Sequence, residues 1–138
     1  MRDANDWNRQ VIEEFRANGG KVGGGFGGAP MLILTTTGAR TGRRHTNPVM
    51  YLPDGDRFAI FASKGGAPTS PDWYHNLVAH PRATVEVGNE TFDVDARVTS
   101  GEERDRLYAR QAELYPQFGE YQQKTTRKIP VVVLTRAR

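Results

Sequence analysis

The chain has 138 residues, of which 37% are apolar and 25% are charged, with a net charge of +3 and no cysteine. This length and composition predict one globular domain with its own core and exclude a disordered chain. The lack of cysteine excludes a disulfide framework, a thiol nucleophile and a thiolate metal site. The sequence contains neither a membrane-length apolar run nor the apolar core of a signal peptide, which predicts a cytoplasmic protein.

Positive charge is concentrated in two segments of the chain. Residues 38–45 contain Arg40, Arg43 and Arg44 without an acidic residue, and residues 117–138 contain five cationic residues against one glutamate. Two such patches suit an anionic small molecule, a nucleic-acid backbone or a membrane surface.

The chain begins with a predicted amphipathic helix over residues 3–17, which ends at Asn18-Gly19-Gly20. Its apolar residues fall on one stripe: Trp7, Val11, Ile12 and Phe15. A glycine-rich connector follows over residues 21–30. Its GGGFGG run lacks the Lys-Ser/Thr of a phosphate-binding loop, so we interpret it as a linker.

The rest of the chain predicts strands separated by turns and short helices. A hairpin turn is expected at residues 53–56, and a helix with Ser70 as N-cap and Pro71 at its first position. Ser100 and Glu103 predict a capping box that opens a helix ending near residue 114, and a short helix should follow at 118–123. The predicted strands are 31–37, 45–52, 57–62, 83–87, 91–98 and 129–135.

Six strands at hairpin spacing favour an antiparallel sheet, and closure into a barrel removes its exposed edges. The predicted class is therefore α+β, a six-stranded antiparallel β-barrel with peripheral helices. Within this single domain, residues 1–30 form the N-terminal helix and connector, and residues 31–138 form the barrel.

The turn between the first two strands looks suited to hold an anion. Arg40, Arg43 and Arg44 lie in a glycine-containing turn, where main-chain N–H groups can approach a ligand and guanidinium groups can bind phosphate or carboxylate. The alternative is a solvated hairpin tip with no ligand.

A second candidate site follows the third strand. Lys64 precedes two glycines, and Trp73, Tyr74 and Asn76 lie on the next helix, a combination that suits a flat heterocycle with an anionic tail. The alternative is that Trp73 and Leu77, at i and i+4, only attach this helix to the core.

The segments TTTGARTGRRHTNPVMY, ASKGG, PDWYHNL and IPVVVLT closely resemble the deazaflavin-dependent nitroreductase family, over residues 31–135. The resemblance implies a split β-barrel related to the flavin-mononucleotide-binding oxidoreductases. It also implies the cofactor F420, a 5-deazaflavin that delivers a hydride and carries a phospholactyl and oligoglutamate tail.

The resemblance assigns cofactor contacts to both motifs. The arginines and Thr41 would hold phosphate and tail carboxylates, while Asn47 and Pro48 would border the ring and Trp73 and Asn76 would wall the pocket. The full set is Thr36, Thr37, Gly38, Arg40, Thr41, Arg43, Arg44, Asn47, Pro48, Ala62, Ser63, Lys64, Gly65, Gly66, Trp73 and Asn76.

The resemblance also implies an aromatic substrate wall formed by Met50, Trp73, Tyr115, Phe118 and Tyr121, in which Tyr115 and Tyr121 would polarise the substrate. Phe118 and Met50 stand where the nitroimidazole-activating member has tyrosines, which favours quinones over nitroimidazoles. The alternative for Tyr115, Phe118 and Tyr121 is helix packing.

Three functions remain open from the sequence. The favoured one is an F420H2-dependent reductase of quinones, nitroaromatics or similar planar apolar acceptors, acting as a monomer or homodimer, with weak association at the membrane surface left open. The second is a flavin-mononucleotide-dependent oxidoreductase on the same barrel. The third is a non-enzymatic binder of nucleic acid or membrane surfaces. No metal and no nucleic acid are expected for the favoured function.

Overall fold

The computed structural model describes residues 4–19 and 30–137, and in this part of the chain six antiparallel strands close into a barrel with four helices outside it. The predicted split-barrel class is confirmed. The order around the barrel is β1-β2-β3-β6-β5-β4. The strands are β1 (Met31–Thr37), β2 (Arg44–Asp54), β3 (Arg57–Phe61), β4 (Arg82–Val87), β5 (Glu90–Val98) and β6 (Val131–Arg136). The helices are α1 (Ala4–Ala17), α2 (Asp72–Ala79), α3 (Gly101–Leu114) and α4 (Gln117–Lys124).

Strand β1 is buried on both faces, as its unbroken apolar run predicts. Leu32 and Leu34 point into the barrel core, whereas Met31 and Ile33 pack outside it against Phe15 of α1. The predicted amphipathic stripe of α1 therefore covers the outer face of β1. Of the connector between them, residues 20–29 lie outside the described part of the chain.

A second apolar cluster joins α3 and α4 to the outer face of the barrel. Phe61, Tyr108 and Phe118 stack edge to face, with centroids 5.7 to 6.5 Å apart. The Tyr108 hydroxyl donates a hydrogen bond to the Phe118 carbonyl at 2.5 Å, and burial raises the pKa of Tyr108. The phenol thus remains protonated and able to donate at neutral pH.

Both predicted side-chain caps are wrong. Ser100 is the N-cap residue of α3, but its side chain makes no capping hydrogen bond. The Glu103 carboxylate instead accepts two hydrogen bonds from Arg97, at 2.8 and 3.0 Å. At α2 the N-cap is Pro71, not Ser70, because Pro71 has extended backbone angles and the helix begins at Asp72.

Several strand ends differ from the prediction by one or two residues. Strand β2 continues through Pro53 to Asp54, which pairs with Arg57, so the turn is confined to residues 55–56. Gly55 has a φ of 64°, a conformation that glycine adopts at little cost. Pairing with β3 extends β2 beyond the point where its composition suggests a turn.

No helix in the described ranges is both long and apolar enough to span a membrane.

Gln111 of α3 is fully buried, and neither side-chain amide atom has a hydrogen-bond partner in the described part of the chain. Burial of an unpaired amide costs about 1–3 kcal/mol. We therefore expect Gln111→Met, which keeps the side-chain length, to raise the free energy of unfolding by about 1 kcal/mol or more in urea denaturation. The control is Gln123→Met at an exposed position of α4, which should change it by less than about 0.5 kcal/mol. Loss of stability in Gln111→Met would mean that a buried water satisfies the amide.

Candidate functional site

A cleft of about 1180 Å³ opens between α1, the β1–β2 turn, the Lys64 loop and α2. It is large enough for an extended organic cofactor. Its lining contains six cationic side chains and two carboxylates. The cations are Arg9, Arg16, Arg40, Arg43, Arg44 and Lys64, and the carboxylates are Glu13 and Asp72.

The β1–β2 turn is held by its own backbone. The Gly38 N–H donates to the Arg43 carbonyl at 2.7 Å, and the Gly42 N–H donates to the Gly38 carbonyl at 3.0 Å. Gly42 has a φ of 72°, and a Cβ on Gly38 would lie 3.2 Å from the Arg43 carbonyl oxygen. Both glycines are thus needed for the tight turn that presents the arginines.

The three arginines of this turn have different surroundings. Arg44 donates to Thr84 at 3.1 Å and to Thr37 at 3.4 Å, so part of its donor capacity is used within the barrel. The side chains of Arg40 and Arg43 are exposed and make no hydrogen bond or ion pair with a described residue. Their charges are therefore available to an anion in the cleft.

Asn76 connects α2 to this turn. Its side-chain amide donates to the Thr36 hydroxyl at 3.0 Å and accepts from the Ala39 N–H, also at 3.0 Å. Thr36 and Asn76 are both buried. Asn76 thus fixes the start of the arginine turn, in addition to lining the cleft as the resemblance implies.

The Lys64 loop forms a short 3₁₀ turn after β3. Lys64 has a φ of 48°, a left-handed conformation that is unfavourable for a residue with a Cβ. Its Nζ lies 3.4 Å from the Thr69 hydroxyl, and Lys64 is part of the cleft lining. Trp73 lines the cleft as well, and it packs with Leu77 in the barrel core. The structure thus shows the packing of Trp73 in the core, and its contact with a cofactor stays a prediction.

The structure brings together more than half of the predicted cofactor residues. Those that line the cleft are Gly38, Arg40, Thr41, Arg43, Arg44, Asn47, Lys64, Trp73 and Asn76. Those outside the lining are Thr36, Thr37, Pro48, Ala62, Ser63 and Gly66, while the predicted contact at Gly65 stays a prediction. For Gly66 there is a structural reason for glycine, because a Cβ would lie 3.0 Å from the Tyr121 carbonyl oxygen of α4.

The predicted substrate wall, apart from Trp73, lies outside the cleft lining. Phe118 is buried in the α3–α4 cluster, and Met50, Tyr115 and Tyr121 are partly buried against it. The Tyr121 ring stacks on Phe118 with centroids 5.2 Å apart. The structure therefore supports the helix-packing alternative for Phe118, and the polarising role of the two tyrosines stays a prediction.

Sequence analysis missed the contribution of α1 to the cleft. Asn8, Arg9, Ile12, Glu13 and Arg16 line one side of it. Their i, i+4 and i+7 spacing marks a face beside the apolar stripe. On this side of the helix Arg16 forms a bidentate pair with Glu86 of β4, with N–O distances of 2.9 and 2.7 Å, in addition to the apolar contacts of α1 with β1.

The second basic patch does not form one surface. Arg127 donates to backbone carbonyls of the Lys64 loop, Lys128 pairs with Asp105 at 3.2 Å, and Arg136 pairs with Glu90 at 2.9 Å. Most of this charge is thus used within the chain. Among the described residues, no three His, Asp or Glu side chains are placed to hold a metal ion.

The closed six-stranded barrel with outer helices is the split-barrel fold found among solved reductases. A solved F420H2-dependent reductase is 40% identical to this chain, with a TM-score of 0.70 over 76% of this chain and 93% of its own. A second solved relative, a domain-swapped dimer, is 36% identical, with a TM-score of 0.72 over 96% of this chain and 99% of its own.

The model of the F420H2-dependent quinone reductase family matches residues 7–136. An F420H2-dependent quinone reductase of Mycobacterium tuberculosis is 43% identical over 128 residues, which cover 88% of this chain and 85% of the relative. The chain therefore belongs to this family, and the predicted class of F420-dependent oxidoreductase is confirmed.

The cleft fits coenzyme F420 on its own chemistry. The exposed guanidinium groups of Arg40 and Arg43 and the ammonium of Lys64 suit phosphate and carboxylates, while Trp73 offers a flat apolar surface. One cleft thus contains cationic groups for the anionic tail of F420 and an aromatic side chain for its ring.

We expect Asn76→Leu to lower the free energy of unfolding by about 1–3 kcal/mol, because it leaves the buried Thr36 hydroxyl and the Ala39 N–H without their partner. Urea denaturation measures this change. The control is His75→Leu at an exposed position of the same helix, which should cost less than about 0.5 kcal/mol. Equal stability of the two variants would contradict the role of Asn76.

Proposed function

We propose that the chain binds reduced F420 in the cleft through its anionic tail and catalyses hydride transfer to a planar, uncharged quinone. The observation that carries this proposal is the pair of exposed arginines, Arg40 and Arg43, whose side chains have no partner among the described residues and which share a cleft with Lys64 and Trp73. Nitroaromatic acceptors are a secondary class, with lower expected rates.

The tail would lie at the β1–β2 turn. Arg40 and Arg43 would bind phosphate or carboxylate oxygens as charge-assisted donors. Arg44 would attract the tail mainly through its positive charge, because two of its N–H groups already donate hydrogen bonds to Thr37 and Thr84. The Asn76 contacts to Thr36 and Ala39 would keep this turn in place before the ligand arrives, which reduces the entropic cost of binding.

The ring would lie deeper, against Trp73 and Ile12, two bulky apolar side chains among the described lining residues. When bound, reduced F420 supplies the hydride, and the protein supplies orientation and electrostatics. Trp73 is held by the barrel core, so it can position a ring without moving. Apolar walls on this side would keep water away from the acceptor.

Hydride transfer would leave negative charge on a quinone oxygen, which a hydrogen-bond donor would stabilise. We assign this donor role to Tyr115 or Tyr121, which are partly buried against the α3–α4 cluster. Tyr121 lies on α4, whose backbone approaches Gly66 in the loop that carries Lys64. The phenol would donate a hydrogen bond that strengthens as negative charge develops.

The oligomeric state is part of the proposal as well. We propose a monomer or a homodimer, the latter supported by the relative that is a domain-swapped dimer. The cationic rim of the cleft also supports weak association with an anionic membrane surface, where apolar quinones reside.

We expect Arg40→Gln/Arg43→Gln to weaken F420 binding by about 3 kcal/mol, roughly a hundredfold in Kd, because two charge-assisted contacts are lost. The slope of log Kd against log salt concentration should also fall. Fluorescence titration of F420 at several salt concentrations measures both quantities, with flavin mononucleotide as the competing ligand.

The matched control is Arg110→Gln/Lys128→Gln, which removes the same charge from exposed sites that pair with Glu113 and Asp105. It should leave Kd within about twofold, because long-range field effects are screened. Tight F420 binding by the Arg40/Arg43 variant would contradict the assignment. Tighter binding of flavin mononucleotide than of F420 by the wild type would favour the alternative cofactor.

We expect the kcat/KM of the wild type with F420H2 to be higher for the naphthoquinone menadione than for a nitroimidazole. Tyr121→Phe should lower kcat for the quinone while the Kd of F420 stays within about twofold, since the contact strengthens in the transition state. Tyr115→Phe separates the two candidates. Unchanged kcat in both variants, or a faster reaction with the nitroimidazole, would refute this part of the proposal.

A further inference from the structure

The Arg127 side chain donates hydrogen bonds along the segment that connects β3 to α2. Its Nη2 donates to the Ala62 and Ser63 carbonyls, its Nε donates to the Ala67 carbonyl and its Nη1 donates to the Ser70 hydroxyl, all at 3.0 Å. All three guanidinium nitrogens are used, so Arg127 has little capacity left for an anion.

The loop needs such a donor. Ala62 and Ser63 are buried at the end of β3, where carbonyls without a partner are unfavourable. The Ser63 carbonyl also accepts from the Gly66 N–H at 3.0 Å, whereas the Ala62 carbonyl accepts from Arg127. Lys64 then adopts a left-handed conformation that its own side chain disfavours, so the surrounding contacts must hold it there. Arg127 bonds the chain on both sides of this residue, at Ser63 and Ala67.

Arg127 is itself anchored to the outer helices. Its carbonyl accepts from the Gln122 amide at 2.7 Å, and Gln122 accepts from Arg104 at 2.7 Å and from the Ile129 N–H at 3.0 Å. The Arg104 guanidinium is buried and donates to the Ile129 carbonyl at 2.8 and 3.0 Å. A continuous chain of hydrogen bonds thus joins α3 and α4 to the Lys64 loop.

We infer that Arg127 is a positioning residue for the cofactor cleft: it fixes the loop that aims Lys64 at the anion, without contacting the anion itself. This inference rests on the proposed binding of F420 in the cleft. It gives Arg127 a different role from Arg40 and Arg43, although all three are arginines beside the same cleft.

A double-mutant cycle tests this role. Arg127→Met should weaken F420 binding by about tenfold in the wild-type background, but by less than about threefold in Lys64→Met, because the two residues would act through one contact. Arg127→Lys should recover part of the affinity, since an ammonium can still donate to the loop carbonyls. Lys128→Met is the control for loss of charge, because Lys128 is the neighbouring exposed cation. Its Kd for F420 should stay within about twofold of the wild-type value.

Hydrogen exchange of the 62–70 peptide gives a second measurement that needs no cofactor. Arg127→Met should exchange faster there than Lys128→Met, with the barrel strands unchanged. Equal exchange in the two variants, or equal effects of Arg127→Met in both Lys64 backgrounds, would overturn the inference. If Arg127→Met does not melt cooperatively, the same cycle is measured with Arg127→Lys.

The two proposals can fail separately. If wild type does not bind F420, the proposed function fails, while the exchange result still decides whether Arg127 holds the loop. If wild type binds F420 and Arg127→Met binds equally well, only the positioning role is wrong.

Discussion

The cleft depends first on one buried amide. Asn76 connects α2 to the end of β1 and to the first residue after it, and through these two contacts the arginine turn is held next to Trp73. A buried amide must satisfy its donor and its acceptor together, so this contact has only one favourable arrangement. The position of the arginine turn relative to Trp73 is therefore fixed by contacts within the chain.

The arginines of this fold differ in whether their N–H groups are already used within the chain. Arg40 and Arg43 extend from a glycine turn without partners among the described residues, whereas Arg127 and Arg104 use their N–H groups on backbone carbonyls. A guanidinium suits both tasks because it carries five donors in a rigid plane. Net charge alone would not separate the two groups, and only the contacts do so.

The sequence predicted the barrel well because its strands carry strong local signals. An uninterrupted β-branched and apolar run marks β1 with the bounds that the structure has, and alternation marks β5. The predicted anion turn was also found in a cleft, since paired glycines and clustered arginines are local features. Family motifs added the cofactor, which no pattern of charge or periodicity could name.

Features that depend on distant contacts were not predictable. Glu103 has the position of a capping residue, yet Arg97 and Arg57 bind its carboxylate because β3 and β5 bring them close. The cationic C-terminal segment looked like a ligand surface. In the fold, however, Arg127 donates hydrogen bonds to the Lys64 loop, which lies more than fifty residues earlier in the chain. Likewise, the apolar stripe of α1 predicts that the helix packs on the barrel. It does not predict that the polar residues beside the stripe line the cleft.

The central claim is that Arg40 and Arg43 bind the anionic tail of F420 while Arg127 does not. Nitrogen-15 NMR of the arginine side chains, recorded while F420 is added to the wild type, tests it most directly. We predict that the Nε–H signals of Arg40 and Arg43 shift and become protected from exchange with water, whereas the Arg127 signal, already protected, stays in place. Large shifts at Arg127 with unchanged signals at Arg40 and Arg43 would contradict the account.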